Sequence, residues 1–157
     1  MAQAPEDRPT DKPWPPIIYA AALAVCWLLE SLVSLPRLPE SLLMRWIGAV
    51  AVLAGIGLAL AAFMELRSEE TTFNPTGAAD ALAMDGAYAL SRNPKYLAAL
   101  IVFAGLGLAL RSTSLLVAVP IVAIALQKLA IEPEEAYLER RFGERYRRYK
   151  SRVRRWI

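Results

Sequence analysis

Histidine is absent from all 157 residues, and cysteine occurs once, as Cys26. No internal disulfide can form, and no zinc-type ligand set exists, so a metal site is not expected. Catalysis by a Ser–His or Cys–His pair is excluded outright. A packed free thiol is the simplest reading of Cys26. Charge is also scarce over long stretches of a chain that is 56% hydrophobic, with a mean hydropathy of +0.33. Four blocks, 17–33, 42–64, 97–110 and 115–130, are almost wholly apolar.

A membrane-crossing helix needs roughly 20 predominantly apolar residues, with a range of about 17 to 25. The first two blocks meet that length. The third is short and would have to borrow from the Tyr88 to Tyr96 stretch before it. The fourth is marginal, with a kink expected at Pro120 because proline removes a backbone donor and crowds the preceding turn. The first block follows "MAQAPEDRPTDKPWPP", which is proline-rich and not positive overall. It therefore reads as a retained helix rather than a cleaved signal. The expected architecture is an all-α integral membrane bundle with spans at about 17–33, 42–64, 94–110 and 114–131 and a C-terminal amphipathic cytosolic helix. Residues 1–16, with five of the eleven prolines, form a flexible cytosolic lead-in, and 17–157 form one domain.

Nine of the 18 basic residues lie at or after Arg140. The positive-inside rule makes that end cytoplasmic, and four spans bring the N-terminus to the same side. The expected location is a bacterial inner membrane. Trp14 and Tyr19 stand where an aromatic belt is expected. The segment from Leu35 to Pro39 reads as a proline-rich hairpin between spans one and two. "AGIGLAL" (54–60) and "AGLGLAL" (104–110) match each other. Such small-x-small patterns let membrane helices approach closely, although they are also compatible with an ancient repeat.

Between spans two and three, residues 65–95 turn polar, with turn signals at Asn74-Pro75 and Thr76-Gly77. The segment exceeds what a simple connection needs. Its apolar residues Phe73, Leu82, Met84, Tyr88 and Leu90 predict an ordered loop and a short helix against the cytosolic face. After span four, Tyr137, Leu138, Phe142, Tyr146, Tyr149 and Val153 recur at helical spacing, with an interruption near Gly143. The basic flanks predict attraction to anionic lipid, and no nucleic-acid partner is expected. The oligomeric state is left open.

Spans three and four are joined only by "RSTS", so their cytosolic ends, Arg92 to Tyr96 and Glu132 to Glu135, must be neighbours. Acidic groups at that depth are expensive unless paired, and they mark function by default. Arg92 and Lys95 can be read as snorkelling anchors, Tyr146 and Tyr149 as interfacial packing, and Glu135 as a partner for nearby arginines. Glu134, Asn93 and Tyr96 read together as a site.

"GAYALSRNPKYLAALIVFAGLGLAL" followed by "EPEEAYLERRFGERYRRYKSRVRRW" resembles the isoprenylcysteine carboxyl methyltransferase family of membrane enzymes. The related phospholipid N-methyltransferases share its cofactor-binding half. The likeness covers about residues 71–157. It implies an S-adenosylmethionine site, with S-adenosylhomocysteine as product. Asp80, Ala81, Leu82 and Ala83 would cover the adenosine, and Tyr88, Asn93, Pro94, Lys95 and Tyr96 would line the site. Glu134 would hold the amino-acid or ribose end of the cofactor, and Gly105 and Gly107 would allow close helix packing beside it. Arg92 and Glu134 are the candidate catalytic residues, Arg92 as a ligand for phosphate or carboxylate. The aromatic faces of Tyr88 and Tyr96 could attract the sulfonium. Asn93 stands where the family usually has histidine, and Ala130 where the eukaryotic carboxyl methyltransferases place a substrate arginine. The expected activity is methyl transfer to a lipophilic acceptor, a prenylcysteine-like carboxylate or related small lipid. The alternatives are lipid-amine N-methylation, a catalytically silent membrane module of the same fold, or a sterol-reductase relative, for which the chain is short.

Overall fold

The computed structural model describes residues 12–68 and 81–157. Asp80, Phe73 and the turn signals between them lie outside the described residues, as does most of the lead-in. Every element among the described residues is helical. Helix α1 spans Trp14–Leu32, with prolines in its first turn where no backbone donor is needed. Helix α2 spans Leu42–Ser68, and a four-residue turn, α3, spans Ala87–Leu90. Helix α4 begins directly at Pro94 and ends at Ala109. Helix α5, Thr113–Leu126, is capped by the Ser112 hydroxyl, which accepts from the Leu115 N–H at 3.1 Å. Pro120 sits inside α5 without ending it.

A wide π-helical turn, Gln127–Ile131, carries α5 into α6, Glu132–Phe142. Pro133 accounts for it. A proline has no N–H for the carbonyl four residues back and its ring crowds that carbonyl. The chain widens instead, and the Glu132 N–H reaches back five residues to the Gln127 carbonyl. Gly143, at φ +52°, then breaks the helix before α7, Glu144–Arg152. The interruption expected near Gly143 is thus real, and it divides the amphipathic stripe into two helices.

Among the described residues, three helices are long and apolar enough to cross a bilayer: Trp14–Leu32, Leu42–Arg67 and the continuous run Thr113–Phe142. Helix α4 has only 16 residues, about 24 Å at 1.5 Å per residue. It borrows nothing from Tyr88 to Asn93, because that stretch forms α3 and a bend ahead of Pro94. Helix α4 is thus a shorter apolar helix than the other three.

The helices form a row, with α2 packed on α4, α4 on α5, and α5 on α1. Consecutive helices α1 and α2 do not pack together, which corrects the hairpin expected at residues 35–39. Their connection instead crosses the α4–α5 turn. The Leu38 N–H donates to the Arg111 carbonyl at 3.3 Å, Arg111 Nε donates to the Leu38 carbonyl at 2.8 Å, and the Thr113 hydroxyl to the Pro36 carbonyl at 2.6 Å. Nearby, Glu30 of α1 accepts from the hydroxyls of Ser112 and Ser114. Tyr19 is partly buried, its ring tilted against Phe103 with centroids 6.0 Å apart. Trp27 and Trp46 are the exposed aromatics toward the opposite end.

Glycines set the antiparallel α2–α4 contact. A Cβ on Gly105 would lie 2.8 Å from the Gly48 carbonyl oxygen, and one on Gly55 would lie 2.9 Å from that of Ala98. Backbone therefore meets backbone, as the small-x-small pattern requires. Gly107 makes room for the Leu116 side chain of α5, whose Cδ2 a Cβ would meet at 2.6 Å. Gly57, by contrast, faces open space. Gly105→Ala should destabilise the detergent-solubilised protein by about 1–3 kcal/mol through overpacking. Gly57→Ala should instead stabilise it by roughly 0.5–1 kcal/mol by removing a helix-interior glycine. Melting curves of the two variants should move in opposite directions.

Candidate functional site

The bend Ser91–Asn93 carries the short polar strap that delivers α4 to the bundle, and it is stitched to the C-terminal tail. The Ser91 hydroxyl donates to the Arg155 carbonyl at 3.1 Å and accepts from the Asn93 N–H at 3.1 Å. The Asn93 side-chain amide donates to the same carbonyl at 3.2 Å. The Arg92 N–H donates to the Arg154 carbonyl at 3.0 Å. Ser91 and Asn93 are buried, so these bonds satisfy groups that water cannot reach.

The two adjacent glutamates of α6 point to different partners, since successive helical residues diverge by about 100°. Glu135 is buried and takes a bidentate grip from Arg155, with Nε to Oε1 at 3.2 Å and NH2 to Oε2 at 2.8 Å. It also pairs with buried Arg92 at 3.2 Å. Glu134 turns to α4, where its Oε1 accepts from Lys95 Nζ and its Oε2 from the Tyr96 hydroxyl, both at 2.8 Å. Lys95 Nζ sits 4.9 Å from the Tyr96 ring centroid. The neighbouring helix ends expected from the short outer turn are thus in direct contact.

These groups face a cleft that is partly open to solvent. Ala81, Leu82, Ala83, Tyr88, Arg92, Asn93, Lys95 and Glu134, all expected at the site, line it together. Pro94 and Tyr96 are buried behind it, Tyr96 reaching the cleft through Glu134. Gly105 and Gly107 belong to the helix contacts above, ten or more residues along α4. Leu66, Leu138, Tyr146 and Tyr149 complete the walls. The tyrosines were legible as packing residues but not as cleft walls. The contribution of the Arg154–Arg155 backbone had no sequence signal beyond its charge.

Tyr149 donates its hydroxyl to the Tyr88 carbonyl at 2.7 Å, and its ring tilts against Tyr146 at 6.1 Å. Burial pushes the hydroxyls of Tyr88, Tyr146 and Tyr149 well above their ordinary value, with nearby carboxylates adding to the shift. The hydrogen bond to Glu135 raises the Arg155 guanidinium further still. The cleft therefore holds its phenols neutral, and Arg155 behind it stays charged. One donor is left over: Arg92 Nε is buried with no hydrogen-bond partner among the described residues.

A family profile described as phospholipid methyltransferase matches residues 43–145. The chain belongs to the phospholipid methyltransferase family. The matched region contains α2 to α6 and so both glutamates, the strap and most of the cleft. Membership in this family points to methyl transfer to a membrane lipid. An uncharacterized protein of Haemophilus influenzae is 39% identical over 62 residues, covering 40% of this chain and 98% of that one. No solved structure matches the chain.

Glu135→Ala should cost about 3–5 kcal/mol, because it leaves Arg92 buried without its counter-charge; chemical or thermal unfolding in detergent measures this. The tyrosines give a pH dependence of definite sign. Their folded pKa values lie above the unfolded value of about 10, so their stabilising contribution is whole below about pH 10 and declines above it. Melting temperature should hold between pH 8 and 9.5 and drop by pH 11, and less steeply in Tyr149→Phe.

Proposed function

We propose that the chain transfers a methyl group from S-adenosylmethionine to a lipid acceptor at the cytosolic membrane face. The observation that carries this reading is the cleft itself. A carboxylate and an aromatic ring converge on a cation position beside a buried, unpaired arginine donor, within a chain of the phospholipid methyltransferase family.

The residues present fit a zwitterionic, cationic cofactor. Arg92 Nε can donate to an anionic oxygen without breaking the Arg92–Glu135 pair. Glu134 and the Tyr96 ring can hold a positive charge, and such a cation–π contact contributes roughly 0.5–2 kcal/mol. Ala81, Leu82 and Ala83 present small apolar surface suited to a flat ring, and Tyr88 closes one side. When bound, the cofactor supplies an already activated methyl on its sulfonium. What the protein must add is alignment and exclusion of water. The buried strap and the neutral tyrosines provide both. Asn93 spends its amide on the Arg155 carbonyl, so it orients the strap and has no titrating role. Arg92 and Glu134 are the two side chains assigned to contact with the reacting ligands.

Four membrane crossings, with both termini cytosolic, complete the reading. Helix α4 runs antiparallel to α2, from the strap at one end to the turn under the α1–α2 connection at the other. The apolar row supports a cleft at one membrane face, on the side of the nine basic residues of the C-terminal stretch. Of the two acceptor classes, a phospholipid head-group amine is favoured over a prenylcysteine carboxylate. Ala130 is only 1% exposed, packed in the core beside Leu126 and Ile131, so no substrate-binding cation stands there.

The test is calorimetric titration of S-adenosylhomocysteine into the purified full chain and into Glu134→Gln and Tyr96→Phe. The parent should bind, with affinity reduced about tenfold or more in Glu134→Gln and less in Tyr96→Phe, which keeps the ring. Methyl incorporation into amine-bearing phospholipid vesicles should follow the same order. A well-folded parent that binds nothing would remove the enzyme reading.

A further inference from the structure

The corner made by Glu134 and Tyr96 suits a positive charge, and this chain already keeps one there. Lys95 Nζ lies 2.8 Å from the Glu134 carboxylate and 4.9 Å from the Tyr96 ring centroid. Its side chain is only 9% exposed. A carboxylate at hydrogen-bond distance and an aromatic face within about 6 Å are the two features that hold a partly desolvated cation.

Nothing in the helix itself asks for this lysine. It is the second residue of α4, and a cation in the first turn opposes the helix dipole. Among the described residues, Arg92, Arg155 and Lys95 face Glu134 and Glu135.

We infer that the Lys95 ammonium is a resident occupant of the subsite that the methyl donor's sulfonium takes, so that Lys95 sets the preference between donor and product. The inference rests on the reading of the cleft as an S-adenosylmethionine site. For the charged donor to seat, the lysine must swing out of the corner on its flexible four-carbon stem. The product carries a neutral thioether in place of the sulfonium and meets no such opposition. The chain therefore binds product more tightly than donor, and the excess is a property of residue 95.

Titration calorimetry of S-adenosylmethionine and S-adenosylhomocysteine into the detergent-purified full chain, Lys95→Met and Lys95→Arg tests this, with melting curves to verify folding. The parent should favour product about tenfold or more. Lys95→Met should narrow that ratio at least tenfold, equal to about 1.4 kcal/mol, by tightening donor binding and leaving product within about threefold. Lys95→Arg should keep the parent's ratio. A Lys95→Met variant that weakens both ligands equally would make Lys95 a direct ligand of the cofactor and overturn the inference. An unchanged ratio would overturn it too, while leaving the cofactor site intact. Failure of every folded variant and of the parent to bind either ligand would instead overturn the cofactor reading, and this inference with it.

Discussion

A single buried carboxylate organises the end of this protein that holds the cleft. Glu135 meets Arg92 from the strap ahead of α4 and Arg155 from the end of the chain. An isolated charge at that depth would be intolerable, whereas one gripped by two guanidinium groups is held in place. Arginine suits the task because its planar fork matches a carboxylate bidentately. With that pairing made, the tail carbonyl of Arg155 sits where both Ser91 and Asn93 can donate to it. The last residues of the chain are therefore part of the site's frame rather than a loose basic flank.

The membrane part serves the same end by different means. Lipid offers no hydrophobic drive between helices, so contact depends on how closely backbones can approach. Gly48, Gly55 and Gly105 give α2 and α4 that closeness, and Gly107 makes room for the Leu116 side chain of α5. At the far end, Glu30 and the hydroxyls of Ser112 and Ser114 clasp α1 to the start of α5. The π-turn forced by Pro133 sets the rotation at which α6 leaves the bundle, and so decides that Glu134 meets α4 while Glu135 meets the strap. Widened turns of this kind frequently accompany functional sites, and here the proline supplies the cause.

Much of this could be read in advance. The apolar blocks marked the long helices, and a four-residue turn obliged residues 92–96 and 132–135 to meet. Lys95, Tyr96 and Glu134 do meet, within hydrogen-bond distance. The failures have a common origin in long-range packing. Nothing local says that α1 should lie on α5 rather than on α2, because lipid-facing and helix-facing apolar residues look alike in composition. Nothing local distinguishes Arg155 from the eight other basic residues around it, since its partner is twenty positions away in sequence. The start of α4 at Pro94, by contrast, carried a local signal: the residue before proline disfavours helix.

The two adjacent glutamates divide the work in a way that bears on the chemistry. Glu135 neutralises the frame, and its loss threatens folding first. Glu134 is less buried, with its side chain 20% exposed against 7% for Glu135, and its partners are a flexible lysine and a phenol. Only Glu134 can exchange a partner without dismantling the strap. With histidine absent and the tyrosine hydroxyls held protonated by burial, the site is poor in groups that titrate near neutrality. A reaction whose leaving group is already activated needs few of them. What it needs is a fixed place for positive charge, and the geometry around Glu134 is arranged for that.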